Sequence, residues 1–402
     1  MPRHPRFSPS VAEISGAVYS ALAHRLAGFH GEVYPLHVGD TWMEPPAGCR
    51  MEDLTVAAWP GMHRYAPPQG MPALLDALVE RARQRTGVPT ERENVLVTTG
   101  ATGGLGAVAG AIVQPGDEVL VLSPHWPLIA GIVRSFHGVP VEVPFFGVAD
   151  SPESAVEVVS AHLRERSIAL YLNTPSNPTG QAIPRPVIEA LVAWAERHDL
   201  WILADEVYED YVYEGEHTYT RPLAPDRTFA VHSFSKAYGM AGNRCGYVIG
   251  PAAAMPELRK VGLHSFYSTP TASQLAAVKV LGAPGLVWIE QAREQYRRAG
   301  ERAAARLGLP APRGSTFLFF DVAGCLDERG LGGLLEDCVD RGLFVAPGAS
   351  FGPYPTHVRL CFTAAPPDVV DRGVEILASL LGARARPAAS AAAAADPAAA
   401  LR

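Results

Sequence analysis

Short apolar runs and amphipathic stretches alternate through the middle of the chain. Residues 95–100 (VLVTTG), 118–124 (EVLVLSP), 139–145 (VPVEVPF), 168–175 (IALYLNTP), 201–208 (WILADEVY), 228–235 (TFAVHSFS) and 245–250 (CGYVIG) read as buried strands. Between them PLIAGIVRSFHG, SAVEVVSAHLRER and PVIEALVAWAERH carry helical spacing, and a small-residue helix follows residue 100. Upstream, Leu74, Leu75, Leu78, Val79 and Ala82 form one helical stripe. This alternation predicts an α/β fold: a mainly parallel sheet with helices on both faces. Beyond residue 283 the texture changes to one long helix and three strands, STFLFFDV, GLFVAP and HVRLCFT, which predict a smaller α+β lobe.

A chain of 402 residues is long for a single core and agrees with two lobes. The expected organisation is an N-terminal segment over 1–45 completing the small lobe, a large lobe over 46–282, a small lobe over 283–382 and a disordered Ala/Pro-rich tail over 383–402. Residues 1–30 carry an amphipathic helical pattern, and no internal repeat is present.

Composition narrows the class. Apolar residues make up 48% and charged residues 19%, as in soluble globular proteins. A formal net charge of −7 argues against a nucleic-acid partner. No apolar run reaches the roughly 18 residues of a membrane span, and the first residues lack a secretory pattern, so a cytoplasmic protein is expected. The five cysteines include no C-x-x-C pair, which points away from zinc or disulfides and toward buried thiols. Of 34 basic residues only Lys236, Lys260 and Lys279 are lysines, so chemistry that needs a primary amine has three candidates.

Four strand ends carry polar residues, where parallel sheets bind ligands. In SFSKAYGMAGNR (233–244) Lys236 follows an apolar strand among small residues. A lysine is ordinarily a solvated charge, but a desolvated one becomes a nucleophile toward aldehydes. Ser233, Ser235 and Arg244 suit a phosphate dianion. Lys260 and Lys279 lie in helical stretches without such neighbours. Asp205, in LADEVYEDY (203–211), would be a turn cap in isolation. At a strand end it can keep a pyridine nitrogen protonated, with Tyr208 three residues on near the ring's phenolic oxygen. NTPSNPTG (173–180) is more than a turn needs, and Asn177 can donate to the same oxygen. TTGATGG (98–104) joins strand to helix, a weak phosphate signal without G-x-G-x-x-G spacing.

Taken in order, N-P-T-G, D-E-x-Y and S-x-S-K with an arginine eight residues on resemble the class I aminotransferases, fold-type-I pyridoxal 5'-phosphate enzymes, over residues 30–382. The resemblance implies that Lys236 anchors the cofactor and moves the Cα proton, and that Asp205 pairs with the pyridine nitrogen. Asn177 and Tyr208 would bind the phenolic oxygen and Trp126 would stack on the ring. Ala101, Thr102, Ser233, Ser235 and Arg244 would hold the phosphate. Arg359 and the backbone at Gly39 would take the substrate α-carboxylate. Tyr65 would reach the phosphate of a neighbouring subunit, which implies a homodimer with shared sites. The implied reaction is ping-pong transfer of an amino group between an α-amino acid and a 2-oxo acid. Lyase, cyclase or decarboxylase chemistry on the same site, and a non-catalytic ligand-sensing module, are the alternatives.

Two positions depart from relatives that use dicarboxylates. Thr102 stands where some carry a lysine, and an ungapped match sets His264 where others carry an arginine. His264 is therefore the candidate for the distal end of the substrate, and an uncharged amino donor is expected in preference to aspartate.

Overall fold

The computed structural model describes residues 7–12, 14 and 29–384. The amphipathic stretch expected over 1–30 lies mostly outside the described residues, apart from one helical turn at Pro9–Ala12. Of the expected tail, 385–402 also lie outside them. Its first two residues instead complete the helix Pro367–Arg384, where Arg384 pairs with Asp337 and Asp327.

The large sheet has seven strands: β1 (Val95–Thr98), β2 (Glu118–Ser123), β3 (Val139–Pro144), β4 (Ser167–Asn173), β5 (Trp201–Asp205), β6 (Thr228–Ser233) and β7 (Gly246–Ile249). Their order is β1-β7-β6-β5-β4-β2-β3. β7 runs antiparallel to β1 and β6 on either side of it and every other pair is parallel, so the sheet is mainly parallel as expected. Successive residues face opposite layers. Leu120, Leu170 and Ile202 pack into one helical layer, while Val119, Tyr171, Leu203 and Phe229 pack into the other. Burial of each such aliphatic side chain contributes roughly 1.5–3 kcal/mol. The helix Pro72–Thr86 buries the five residues of its predicted stripe, starts on Pro72 and stops at Gly87, whose φ of 68° few other residues tolerate.

The small sheet is antiparallel, with β10 (His357–Cys361) between β8 (Phe317–Asp321) and β9 (Ala346–Pro347). The strand expected across GLFVAP shrinks to two residues because its first half pairs elsewhere. Tyr34 N donates to the Gly342 carbonyl at 2.8 Å and Phe344 N to the Tyr34 carbonyl at 3.0 Å. Cys361 N donates to the Leu36 carbonyl at 2.7 Å, and Trp42 N to that of Thr363 at 2.9 Å. Residues 34–42 are thus laid along the small sheet. The run 228–235 also differs from a plain strand. It ends at Ser233, whose Oγ accepts from Ser235 N at 3.0 Å and starts the helical turn Phe234–Ala237.

The described cysteines are all free thiols; Cys49, Cys245, Cys338 and Cys361 are buried and Cys325 half-buried. Among the described residues no single helix is long and apolar enough to cross a membrane.

Candidate active site

Parallel pairing aligns the carboxyl ends of β4, β5 and β6. Asn173 sits opposite Asp205, and Asp205 opposite Val231. Beyond these ends lies a cavity of about 130 Å³ lined by Ala101, Thr102, Trp126, Asn173, Asn177, Asp205, Val207, Tyr208, Ser233, Ser235, Lys236 and Arg244. Ten of these are candidates named individually from the sequence. Asn173 and Val207 were not singled out there, although Asn173 opens the N-T-P-S-N-P-T-G stretch.

One end of the cavity is built for an anion. The helix Gly100–Ile112 presents its N-terminus with Ala101 and Thr102 in its first turn. Arg244 faces it from a left-handed turn (φ 49°), and its Nη1 lies 3.0 Å from the Ala241 carbonyl and 3.5 Å from Ser235 Oγ. Gly100, at φ +70°, leaves the space this guanidinium occupies, since a Cβ there would come within 2.5 Å of Arg244 Nη2.

The other end holds Asp205, 3% exposed, whose Oδ2 accepts from the Tyr171 hydroxyl at 2.7 Å. Burial raises its carboxyl from the usual 3.8 to about 6, even though the Tyr171 hydroxyl and the Val207 N–H favour the charged form. Burial likewise lifts the Tyr208 hydroxyl well above its ordinary range, so it remains a protonated donor. Asn173 ties the two strands together: its Nδ2 donates to the Asp205 carbonyl at 2.9 Å and its Oδ1 accepts from Asn177 N at 2.7 Å.

Lys236 enters from the wall on the turn after β6. Burial lowers its pKa below that of an ordinary lysine, opposed by Asp40 and reinforced by the positive Arg359 and Arg244. Its Nζ donates to the Gly39 carbonyl, which places this backbone beside the amine. Arg359 is buried on β10. Its Nη1 donates to Asn177 Oδ1 at 2.9 Å and its Nη2 to the His37 carbonyl at 2.5 Å, with its guanidinium 4.4 Å from the centre of the Phe317 ring. Burial and Arg359 lower the His37 pKa to about 4, so at neutral pH His37 leaves the positive charge of Arg359 in place.

Two sequence candidates lie outside this cluster. Tyr65 is 85% exposed and packs against Tyr267, with ring centroids 4.9 Å apart. His264 does not line the cavity: it is exposed on the helix Met255–Ser265, with Nδ1 2.8 Å from the carbonyl of Lys260 one turn back. Tyr171 was missed altogether, because an aromatic residue in an apolar strand reads as core.

A phosphate-binding end, a desolvated amine and a buried carboxylate with one oxygen still uncommitted to a side chain fit a phosphorylated pyridine aldehyde. Residues 42–377 match the family described as aminotransferase class I and II. The chain is 35% identical over 332 residues to an aspartate/prephenate aminotransferase of Thermus thermophilus, covering 80% of this chain and 84% of that one. It is 34% identical over 354 residues to an arginine–pyruvate transaminase of Pseudomonas aeruginosa, covering 85% and 88%. Among solved structures, the Thermus thermophilus aspartate aminotransferase with maleate superposes with a TM-score of 0.84 at 31% identity, covering 94% of this chain and 100% of that one. The chain belongs to the class I and II aminotransferases. It is an aminotransferase dependent on pyridoxal 5'-phosphate, acting on amino acid and oxo acid substrates.

Proposed function

We propose that this aminotransferase works through Lys236, Asp205 and Arg359, in a homodimer with shared sites, and prefers an uncharged amino donor to aspartate. The observation that carries the reading is the cavity itself: a buried amine between an anion-binding end and a buried carboxylate. The large lobe, 46–282, carries the cofactor, and the small lobe, 283–382 with residues 34–42 laid along its sheet, brings Arg359 and Gly39 to it.

When bound, pyridoxal phosphate supplies an aldehyde that captures the amino group and a ring that takes up the electron pair released at the substrate Cα. Arg244, Ser233, Ser235 and the N–H groups of Ala101 and Thr102 hold the phosphate. Asp205 keeps the ring nitrogen charged, while Asn177 and Tyr208 orient the phenolic oxygen. Asn177 can do so because Arg359 engages only its carbonyl oxygen, leaving the amide protons to donate. Trp126 covers the ring face. Arg359 grips the α-carboxylate with two parallel N–H groups beside the Gly39 backbone, which presents the Cα–H to Lys236. Burial lowers the pKa of the Lys236 amine, which favours it as the base that would take that proton.

Besides Lys236, Arg244 is the only lysine or arginine among the described residues lining the cavity, and its charge belongs to the phosphate end. Thr102 adds none and His264 faces solvent, so a distal carboxylate gains little. The test is kcat/KM for aspartate, phenylalanine, leucine and alanine with one common 2-oxo acid. Uncharged donors should exceed aspartate by roughly tenfold or more, given the value of a charged hydrogen bond. A preference for aspartate would reverse the assignment of this end. The shared site is tested by mixing inactive Lys236→Ala chains with inactive Tyr65→Phe chains, which should restore one working site per heterodimer.

A further inference from the structure

Among the described residues Asp205 is a buried carboxylate outside any ion pair, whereas its buried neighbour Glu206 lies 3.8 Å from two histidines. Glu209 and Asp210 each meet arginines. Asp205 forms no ion pair among the described residues, and its strongest contact is a neutral phenol, Tyr171 Oη at 2.7 Å. Tyr171 lies on β4 two residues before Asn173, hence on the same face, and pairs in register with Leu203, two before Asp205. Its ring is fully buried among Leu203, Phe229 and Val231 and cannot swing away. The hydroxyl therefore reaches along the sheet to the carboxylate, while Tyr171 itself does not line the cavity.

We propose that Tyr171 is a positioning residue of the cofactor site, whose hydroxyl holds the Asp205 carboxylate charged and with one oxygen turned to the cofactor. The inference rests on the reading that Asp205 faces the ring nitrogen. Its physics is that of a buried anion outside any ion pair, with His232 favouring and Glu206 opposing its charge from a distance, which persists only if hydrogen bonds replace water. Burial raises the Tyr171 pKa far above the ordinary phenol value, and the adjacent carboxylate reinforces this, so the phenol always donates. Val207 N, at 3.5 Å from Oδ1, is too distant to substitute for it. A phenylalanine here would fill the same space and remove only the donor. Asp205 would then take up a proton at higher pH, and an empty site with a neutral Asp205 binds the cofactor poorly.

The experiment measures the affinity of the full-length protein for pyridoxal 5'-phosphate from pH 5.5 to 9, for wild type, Tyr171→Phe and Asp205→Asn. Tyr171→Phe should bind roughly ten- to a hundredfold more weakly than wild type near pH 6, the worth of a hydrogen bond to a charged group, and the gap should close toward pH 9. A gap that is constant with pH, or no gap, overturns the proposal, because lost packing alone would not titrate. Asp205→Asn separates the two readings. If it removes the titration while Tyr171→Phe leaves the curve at wild type, Asp205 keeps its role and Tyr171 does not. If the titration survives in Asp205→Asn, the parent reading fails. Should Tyr171→Phe not fold, 3-fluorotyrosine at position 171 keeps the ring and makes a more acidic donor. It should shift the midpoint to lower pH, and an unshifted midpoint would overturn the proposal.

Discussion

The end of β5 separates two buried charge systems that solve the same problem in opposite ways. On one side Asp205 faces the cavity with a neutral phenol as its main support, and Lys236 and Arg244 pair with no carboxylate among the described residues. On the other, beginning four residues later, Glu209 and Asp210 are gripped by Arg81 and Arg85 at 2.6–3.3 Å, and Glu209 also meets His232 at 3.3 Å. The second system is complete: each acid has its cations, and desolvation is offset within the protein. The first is left open, with charges of both signs held apart at the two ends of a cavity. The hollow beside the completed cluster is larger, about 500 Å³ against 130 Å³, so size alone would have chosen the wrong one. What marks a site is charge that the fold leaves for a ligand to neutralise.

The contrast predicts that substitutions in the open system remove chemistry and those in the closed one remove stability. The largest effect belongs to Lys236→Ala, which should lower turnover by more than ~10⁴-fold, beyond the usual contribution of a positioned proton carrier, because the covalent anchor is lost too. Borohydride should fix the cofactor to Lys236 in wild type and to no lysine in the variant; labelling at Lys260 or Lys279 would refute the assignment. Next comes Arg81→Ala. It strands part of the Glu209–Asp210 charge and should cost about 3–5 kcal/mol in urea unfolding, while the fraction still folded keeps its turnover and cofactor spectrum.

The smallest effect has the least intuitive sign. The Asp205 value in the folded protein, about 6, lies above its usual 3.8, so the empty protein binds this proton more tightly when folded. Its contribution to stability is greatest below the usual value and is lost as pH rises to about 6. Above that pH the charged carboxylate weakens the fold by about 3 kcal/mol at most. Cofactor-free Asp205→Asn should therefore be more stable than wild type at pH 7.5, with a margin that shrinks toward pH 4.5, although it is catalytically crippled. Equal stability at both pH values would mean that Asp205 is not strained by its burial.

Much of this arrangement was legible beforehand. The stripe Leu74, Leu75, Leu78, Val79 and Ala82 faces inward because helical spacing alone decides it. The four strand ends meet because parallel strands put their carboxyl ends on one edge. What escaped notice depends on contacts between distant segments. The run GLFVAP could not reveal that Tyr34, some three hundred residues earlier, pairs with its first half. Tyr171 gave no sign of its role, since only the tertiary register brings its hydroxyl to Asp205. His264 was set by counting along the chain, and a count cannot foresee that the ring folds back onto its own helical turn.

The rung-by-rung match of Asn173 with Asp205 also limits how this gene can be edited. Lengthening a connecting loop is tolerated: doubling its length costs only about 0.6 kcal/mol. Deleting one residue within β4 or β5 is a different event, because it turns every later side chain on that strand to the opposite face. Asn173 or Asp205 would then point into a helical layer. Lineages descended from this sequence are free to vary their loops, and with them their substrates, but they inherit the spacing inside these two strands as a unit.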